Sequence, residues 1–371
     1  MLKGRRRYCT TLLEYRCRQA EICFSNQVNL VYGLNAQGKT NLLEAIYLVC
    51  LGRSFRGSKN QDLLRKKAPF FTIQGKIKLD NDLKKSVVVH YARDGKKEIS
   101  INSKRLQSHS SIFGEFPIVV MSPDDYRITT GGPSERRRFF DILLSQVSIS
   151  YLTNLQEYHR ILKQRNKILQ QIKEGGGINR SAVEPWTEGL VRVGSKIITE
   201  RMEFLEEFVR VLKPIYREYT ISKDEIEILI ESTVDFDEKD GVESRFEAVI
   251  QEVNEKERIL GISLVGPHRD DFTITINGNY LRSYGSRGEH KSVLISLKIA
   301  EFNYLRFKRQ ERAVFLLDDY YSELDDFREK RVFLSLQDLG QIFLTSPKTK
   351  TFGINFGAMG EVSQFFRGRT Y

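Results

Sequence analysis

Eight residues, Gly33-Leu34-Asn35-Ala36-Gln37-Gly38-Lys39-Thr40, stand in the spacing G-x-x-x-x-G-K-[ST]. Each type answers a requirement of triphosphate binding. Gly33 and Gly38 open backbone conformations closed to other residues and bring main-chain N–H groups close to oxygen. Those groups, with the start of the helix that follows, form an anion cradle to which Leu34, Asn35, Ala36 and Gln37 contribute backbone. Lys39 would neutralise the β- and γ-phosphates during catalysis, and the Thr40 hydroxyl would ligand Mg²⁺. Far along the chain stand two carboxylates, Asp318 and Asp319. The first is suited to hold the metal's water shell, the second to polarise an attacking water. Between these groups lies Ser286-Arg287-Gly288, a Ser-x-Gly at an expected helix start and so a second anion-binding terminus with a hydroxyl donor.

Elements must place these groups. Leu12 to Val31 reads as strand, turn and strand, the second strand carrying buried Val28, Leu30 and Val31 into the loop. Leu42, Leu43, Ile46, Tyr47 and Val49 fall near helical spacing behind it. Val314 to Leu317 is an apolar strand whose C-terminal end delivers Asp318, on a strand expected to neighbour that of the phosphate loop. About three quarters of the chain separates Lys39 from Asp318, so the intervening region is an insertion between two halves of one core. Within it, residues 70–106 alternate apolar and polar side chains, with turns at Asp80-Asn81-Asp82 and Asp94-Gly95, as an antiparallel meander does. Pro117 to Met121 is a further buried strand. Gly131-Gly132-Pro133-Ser134-Glu135 opens a helical region. Its apolar seam from Tyr151 is interrupted by Arg165, and Gly175-Gly176-Gly177 ends it. A second helix carries Leu190, Val193, Ile197, Leu205, Phe208 and Leu212, with Pro214 expected to stop it. A strand at 225–230, a charged helix at 242–258, a hairpin at Asn277-Gly278 and a helix from Ser286 complete the reading.

The composition is that of an ordinary soluble chain of 371 residues, 40% hydrophobic and 29% charged. It has room for two domains, and no apolar run approaches a membrane span of ~20 residues. The basic start lacks an apolar segment before a cleavage site, which argues against secretion. Four cysteines, Cys9, Cys17, Cys23 and Cys50, have neither C-x-x-C spacing nor histidine partners. A reducing cytoplasm is therefore expected, without a metal centre or disulfide framework. The net charge of +11 favours a polyanionic partner. Candidate DNA contacts are Arg65, Lys66 and Lys67 with Arg136 and Arg137; Arg138 completes the second cluster, of which at least one member must face outward.

The phosphate loop, SRGEHK, FLLDD and the trailing Ser322-Glu323-Leu324-Asp325 resemble the Walker A, signature, Walker B and D-loop of ABC-type ATPases that act on DNA. GLNAQGKTNLLEAIY, LGRSFRG, GGPSERRRFFD, GPHRDDF, INGNYLRSYGSRGEHK and LLDDYYSELD together resemble the RecF family of bacterial recombination-repair proteins, over residues 28 to about 345. The resemblance implies an α/β fold: an ABC-type P-loop ATPase core with mixed sheet and antiparallel β-subdomain, plus an inserted helical lobe. It implies ATP and Mg²⁺ sandwiched between two subunits. Gly33 to Thr40 and Asp318 of one would hold the nucleotide, Ser286 and Gly288 of the other would touch the γ-phosphate, and Asp325 would reach across. Asp319 stands where transport ATPases carry Glu, which implies slow hydrolysis. The Q-loop glutamine and switch histidine have no clear counterparts; Ser122-Pro123-Asp124 and Thr345 or Ser346 occupy those regions. The family's role implies replication, DNA-damage (SOS) repair, duplex DNA at single-strand gaps, an ATP-dependent homodimer, RecR- and RecO-like partners, and RecA loading in the cytoplasm.

The expected division is residues 1–130 and 251–371 for the two parts of the ATPase core and 131–250 for the helical lobe. His268 and Arg269 would be structural or lie near the nucleotide. An ABC transporter subunit would carry the conventional Glu and a shorter Walker A to Walker B spacing. A small-molecule kinase leaves Ser286-Arg287-Gly288 and the basic clusters unexplained. A chromosome-maintenance bridging protein needs long coiled-coil arms, which the broken heptads argue against.

Overall fold

The computed structural model describes residues 9–13, 19–34, 36–175, 180–220, 224–234, 241–319 and 340–346. β1 (Cys9–Leu13), β2 (Gln19–Cys23) and β3 (Val28–Tyr32) lead into α1 (Lys39–Leu51). Then come β4 (Phe70–Lys78), β5 (Lys84–Ala92), β6 (Lys97–Ile101), β7 (Lys104–Arg105) and β8 (Ile118–Met121). Helices α2 (Tyr126–Thr130), α3 (Pro133–Val147), α4 (Ile149–Lys173) and α5 (Glu184–Tyr219) precede β9 (Ile226–Glu231) and α6 (Val242–Leu260). β10 (Asp271–Ile276), β11 (Asn279–Tyr280), α7 (Leu281–Tyr284), α8 (Arg287–Arg309), β12 (Val314–Leu317) and β13 (Ile342–Ser346) follow.

Two compact units emerge. The first comprises Met1–Tyr126, Glu218–Ile221 and Gly288–Tyr371; the second comprises Arg127–Arg217 and Ser222–Arg287. In the first, parallel and antiparallel pairing are segregated. A parallel sheet runs β3-β13-β12-β8, and an antiparallel one runs β2-β1-β4-β5-β6-β7, the expected meander at its centre. Every residue of β12 and β13 is buried, as strands covered on both faces require. α1 is buried at every position from Leu42 to Leu51 because it packs on β4 and β5 as well as β8 and β13. Gly75 permits the approach: a Cβ there would meet Val49 Cγ1 at 2.5 Å.

The second unit combines α3 to α6 with the antiparallel sheet β11-β10-β9. It extends to Arg287, past the expected limit at 250, because β10 pairs along its full length with β9. Asn277 (φ 50°) and Gly278 (φ 77°) both lie in the left-handed region, the geometry of a two-residue hairpin turn. The helical region from Pro133 breaks at Ser148, whose side chain accepts from Tyr151 N at 3.0 Å and caps α4. Pro214 does not stop α5, which continues to Tyr219. A proline forfeits one helix hydrogen bond, but buried Leu212, Tyr216 and Tyr219 hold the turns around it. Arg165, expected to break an apolar seam, is fully buried: it donates to Glu257 Oε2 at 2.6 Å, Ser263 Oγ at 2.7 Å and Thr187 Oγ1 at 3.0 Å.

Candidate nucleotide-binding site

β3 ends at Tyr32, and Gly33 N donates to the Ser346 carbonyl at 3.2 Å, so the loop starts where β13 ends. A Cβ on Gly33 would lie 2.6 Å from Gln37 Oε1, the end of a side chain that can shift, so the demand for glycine there comes from its φ of 157°. Ala36 (φ 63°) and Gly38 (φ 91°) turn the backbone through the left-handed region. Gly38 occupies the N-cap of α1 without a side-chain cap, and the first turn holds no acidic residue. The positive end of α1 is thus offered to an anion. Leu34 is 71% exposed at the loop's crest. Asn35 lies outside the described residues.

Lys39, only 4% exposed, folds over the loop and donates to the carbonyls of Gly33 (3.0 Å) and Leu34 (3.2 Å). Its Nζ is 3.9 Å from Asp319 Oδ2. Thr40 Oγ1 donates to Asp318 Oδ1 at 2.9 Å, which joins the two distant motifs in one site. The strand carrying Asp318 does not neighbour β3, contrary to expectation: β13 lies between them. From β13, Thr345 Oγ1 donates to Asp318 Oδ1 at 2.9 Å and accepts from Asp319 N at 2.8 Å. Asp319 sits at φ 46°, a strained conformation for a residue with a side chain, costing roughly 1–2 kcal/mol.

Burial raises the Asp318 carboxyl above its usual range. Hydrogen bonds from Thr345 and Thr40 oppose that shift, the Asp319 charge adds to it, and Arg56 opposes it. Arg56 belongs to LGRSFRG, so one arginine of that stretch lies within electrostatic reach of the site. Buried Glu44 accepts from Ser54 Oγ, whose oxygen in turn accepts from Arg56 N at 3.1 Å. The residues fit the groups that the loop implies. A glycine cradle and a buried ammonium suit a triphosphate, and a hydroxyl beside a carboxylate supplies the hard oxygen donors that Mg²⁺ takes.

The stretch expected to form a second anion site stands apart in sequence. Ser286 is exposed directly before α8, and Gly288 is half-buried in its first turn. His290 is buried with its ring 5.8 Å from that of Tyr126. In the Ser122-Pro123-Asp124 region, where the Q-loop glutamine has no counterpart, Asp125 Oδ2 accepts from Ser122 N at 2.7 Å, and Asp125 Oδ1 pairs with buried Lys298 of α8 at 3.2 Å. Asp325 lies outside the described residues, as does the D-loop stretch as a whole.

The basic candidates separate. Lys66 and Lys67 are exposed and Arg65 is half-buried. Arg136 is not a surface cation: 4% exposed, it makes a bidentate pair with Asp271 at 2.7 Å and 2.7 Å and donates to the Gly131 carbonyl at 2.9 Å. An N-terminal helix position facing the core explains the correction. Arg137 is half-buried and donates to the Asp270 carbonyl, and burial lowers its pKa. Arg138 is the exposed member of the triplet.

Sequence reasoning missed how GPHRDD knits the second unit together. Arg201 is buried and donates to Asp141 (2.8 Å), Asp270 (3.2 Å) and the Pro267 carbonyl (2.7 Å). His268 Nε2 faces the Ser263 carbonyl at 3.3 Å, which can only accept, so Nδ1 accepts from Tyr158 O–H at 2.7 Å. Burial holds this imidazole neutral, its pKa lowered to about 4. His268 and Arg269, which donates to the Ser263 carbonyl at 2.9 Å, are therefore structural. The one signal was a run of charged residues entering an apolar strand.

The sequence profile of the RecF/RecN/SMC N-terminal domain matches residues 10–362. The DNA replication and repair protein RecF of Chloroherpeton thalassium is 36% identical over 331 residues, covering 88% of this chain and 90% of that protein. The Bacillus velezensis RecF is 32% identical over 359 residues, covering 95% and 96%. A solved structure of the recombination mediator protein RecF with ATPrS, in the RecFOR pathway, superposes with a TM-score of 0.87 at 33% identity and covers 92% of this chain and 93% of its own. An Smc head domain from Pyrococcus furiosus, 16% identical with a TM-score of 0.50 and coverage of 92% and 89%, shares the fold. The chain belongs to the RecF family of DNA replication and repair proteins and has the ABC-type ATPase fold of that family and of Smc heads.

Proposed function

We propose that this protein binds ATP with Mg²⁺ in the Gly33–Thr40 loop and uses it to join two copies that hold duplex DNA near single-strand gaps. The observation that carries the reading is the convergence of Lys39, Thr40, Asp318 and Asp319 at the ends of the parallel strands. Relatives solved as RecF–ATP and RecF–ATPrS support it. Bound Mg²⁺ would neutralise phosphate charge, with Thr40 and Asp318 holding it. Lys39 supplies the fixed cation, and Asp319 is the carboxylate available to orient water. Ser286 and Gly288 of a second copy complete the site. In this role the protein acts in the cytoplasm with RecR- and RecO-like partners to promote RecA loading; no described helix is long and apolar enough to cross a membrane.

Asp319 is a shorter acid than Glu and reaches water less well, so hydrolysis is slow: turnover stays below ~10 s⁻¹, near the median for enzymes. The reading is tested by fluorescence anisotropy of a gapped duplex with Mg²⁺, with and without ATP. Binding should require ATP, fall steeply with salt and be lost in Lys39→Ala. Equal affinity without ATP and in the variant would overturn it.

A further inference from the structure

We infer that Thr345 is a positioning residue that couples Mg²⁺ to the nucleotide site by fixing the Asp318 carboxylate and the Asp319 backbone from β13, the strand between β3 and β12. The inference rests on the ATP reading above and deepens it. Thr345 lies on β13, opposite Val31 of β3 on one side, while Leu344 pairs with Leu317 of β12 on the other. It is 1% exposed, so water does not compete for its hydroxyl. β-Branching stiffens its χ1, and one rotamer sets the direction of the oxygen.

That oxygen does two things at once. Its proton goes to Asp318 Oδ1 at 2.9 Å, and its lone pair accepts from Asp319 N at 2.8 Å. Asp319 Oδ1 is also within 3.3 Å. Asp318 Oδ1 already accepts from Thr40 Oγ1 at 2.9 Å. Two hydroxyl donors use both lone pairs of that atom, which leaves Oδ2 to serve the metal's water shell. The carboxylate is thereby fixed in rotation by one hydroxyl from the phosphate loop and one from β13. The bond to Asp319 N helps to hold that residue at φ 46°, a conformation its side chain disfavours. A hydroxyl at position 345 therefore sets the aim of the metal-holding carboxylate and the backbone of the water-orienting one. Lys39 and the loop carbonyls it binds are not among its partners.

The consequence is separable: loss of the hydroxyl should weaken Mg²⁺ while leaving metal-free nucleotide binding intact. The experiment titrates a fluorescent ATP analogue into wild type, Thr345→Val and Thr345→Ser, in EDTA and across a Mg²⁺ series. Partners one step behind a metal ligand are worth 10- to 100-fold in metal affinity, so Thr345→Val should need roughly tenfold more Mg²⁺ for half-maximal enhancement. Its binding in EDTA should match wild type, and Thr345→Ser should restore the Mg²⁺ requirement. Should the valine variant fail to fold, Thr345→Ser against Thr345→Ala, which differ by one oxygen, make the same comparison. A wild-type Mg²⁺ requirement in the variants lacking the hydroxyl overturns the inference, as does an equal loss of binding in EDTA. Failure of wild type to bind the analogue at all overturns the ATP reading itself.

Discussion

Arg136 and Lys39 are both buried cations, yet only one of them is available to a ligand. Arg136 is saturated by Asp271 on two oxygens and by the Gly131 carbonyl. Removing one member of a buried ion pair strands the other, at a cost of about 3–5 kcal/mol. Arg136→Ala should therefore lower stability by that order in denaturant unfolding, whereas charge reversal at exposed Lys66 and Lys67 should leave stability nearly unchanged and weaken DNA binding. An unchanged unfolding midpoint for Arg136→Ala would contradict the assignment. Among the described residues Lys39 meets main-chain carbonyls and a carboxylate 3.9 Å away, so a triphosphate offers it better partners than the loop does. Charge-assisted bonds of about 1.5–3 kcal/mol predict at least a tenfold loss of ATP affinity in Lys39→Ala, read by equilibrium titration. The loop was legible in the sequence because its chemistry is packed into eight consecutive residues. Arg136, Arg165 and Arg201 were not, because a charge reads as surface until its partner is known, and their partners lie far along the chain.

At the scale of elements, strands and turns followed their patterns closely: the meander, the Asn277-Gly278 hairpin and the strand before the phosphate loop all form. Helix limits were less legible. Pro214 misled because packing outweighs one missing hydrogen bond, and the break at Ser148 rests on a cap that any serine could make. The place of β13 between β3 and β12 was also hidden, since strand order is a matter of topology rather than of local pattern. Helix α8 carries a testable electrostatic feature. Lys298 lies 3.2 Å from Asp125 and 3.2 Å from Glu301, all on the first unit. Burial pushes the Glu301 carboxyl up to about 7, with Lys298 opposing and Asp125 adding to the shift. The folded value exceeds the unfolded one, so the unfolded chain releases this proton first as pH rises. Stability from this group is thus full below about pH 4.5 and falls until about pH 7. Glu301→Gln removes the slope: its melting temperature relative to wild type should rise between pH 5 and pH 8. A constant difference would sink this assignment.

For the whole molecule, an ATPase core divided by a long insertion was readable from the separation of its motifs. The lobe's limit was not, because β10 and β11, beyond residue 250, pair back onto β9 in the second unit's three-stranded sheet. Charge belongs to this scale too. With a net +11, the logarithm of the DNA association constant should fall linearly with the logarithm of salt concentration, and a flat response would count against an ionic groove. The central claim is that ATP joins two copies through the exposed Ser286 at the start of α8. Light scattering with Mg²⁺, with and without ATP, on wild type and Ser286→Arg tests it directly. ATP should double the mass of the wild type, while the variant binds nucleotide and stays monomeric. If both remain monomeric with ATP and DNA present, the shared nucleotide site is contradicted, and the loop serves a single subunit alone.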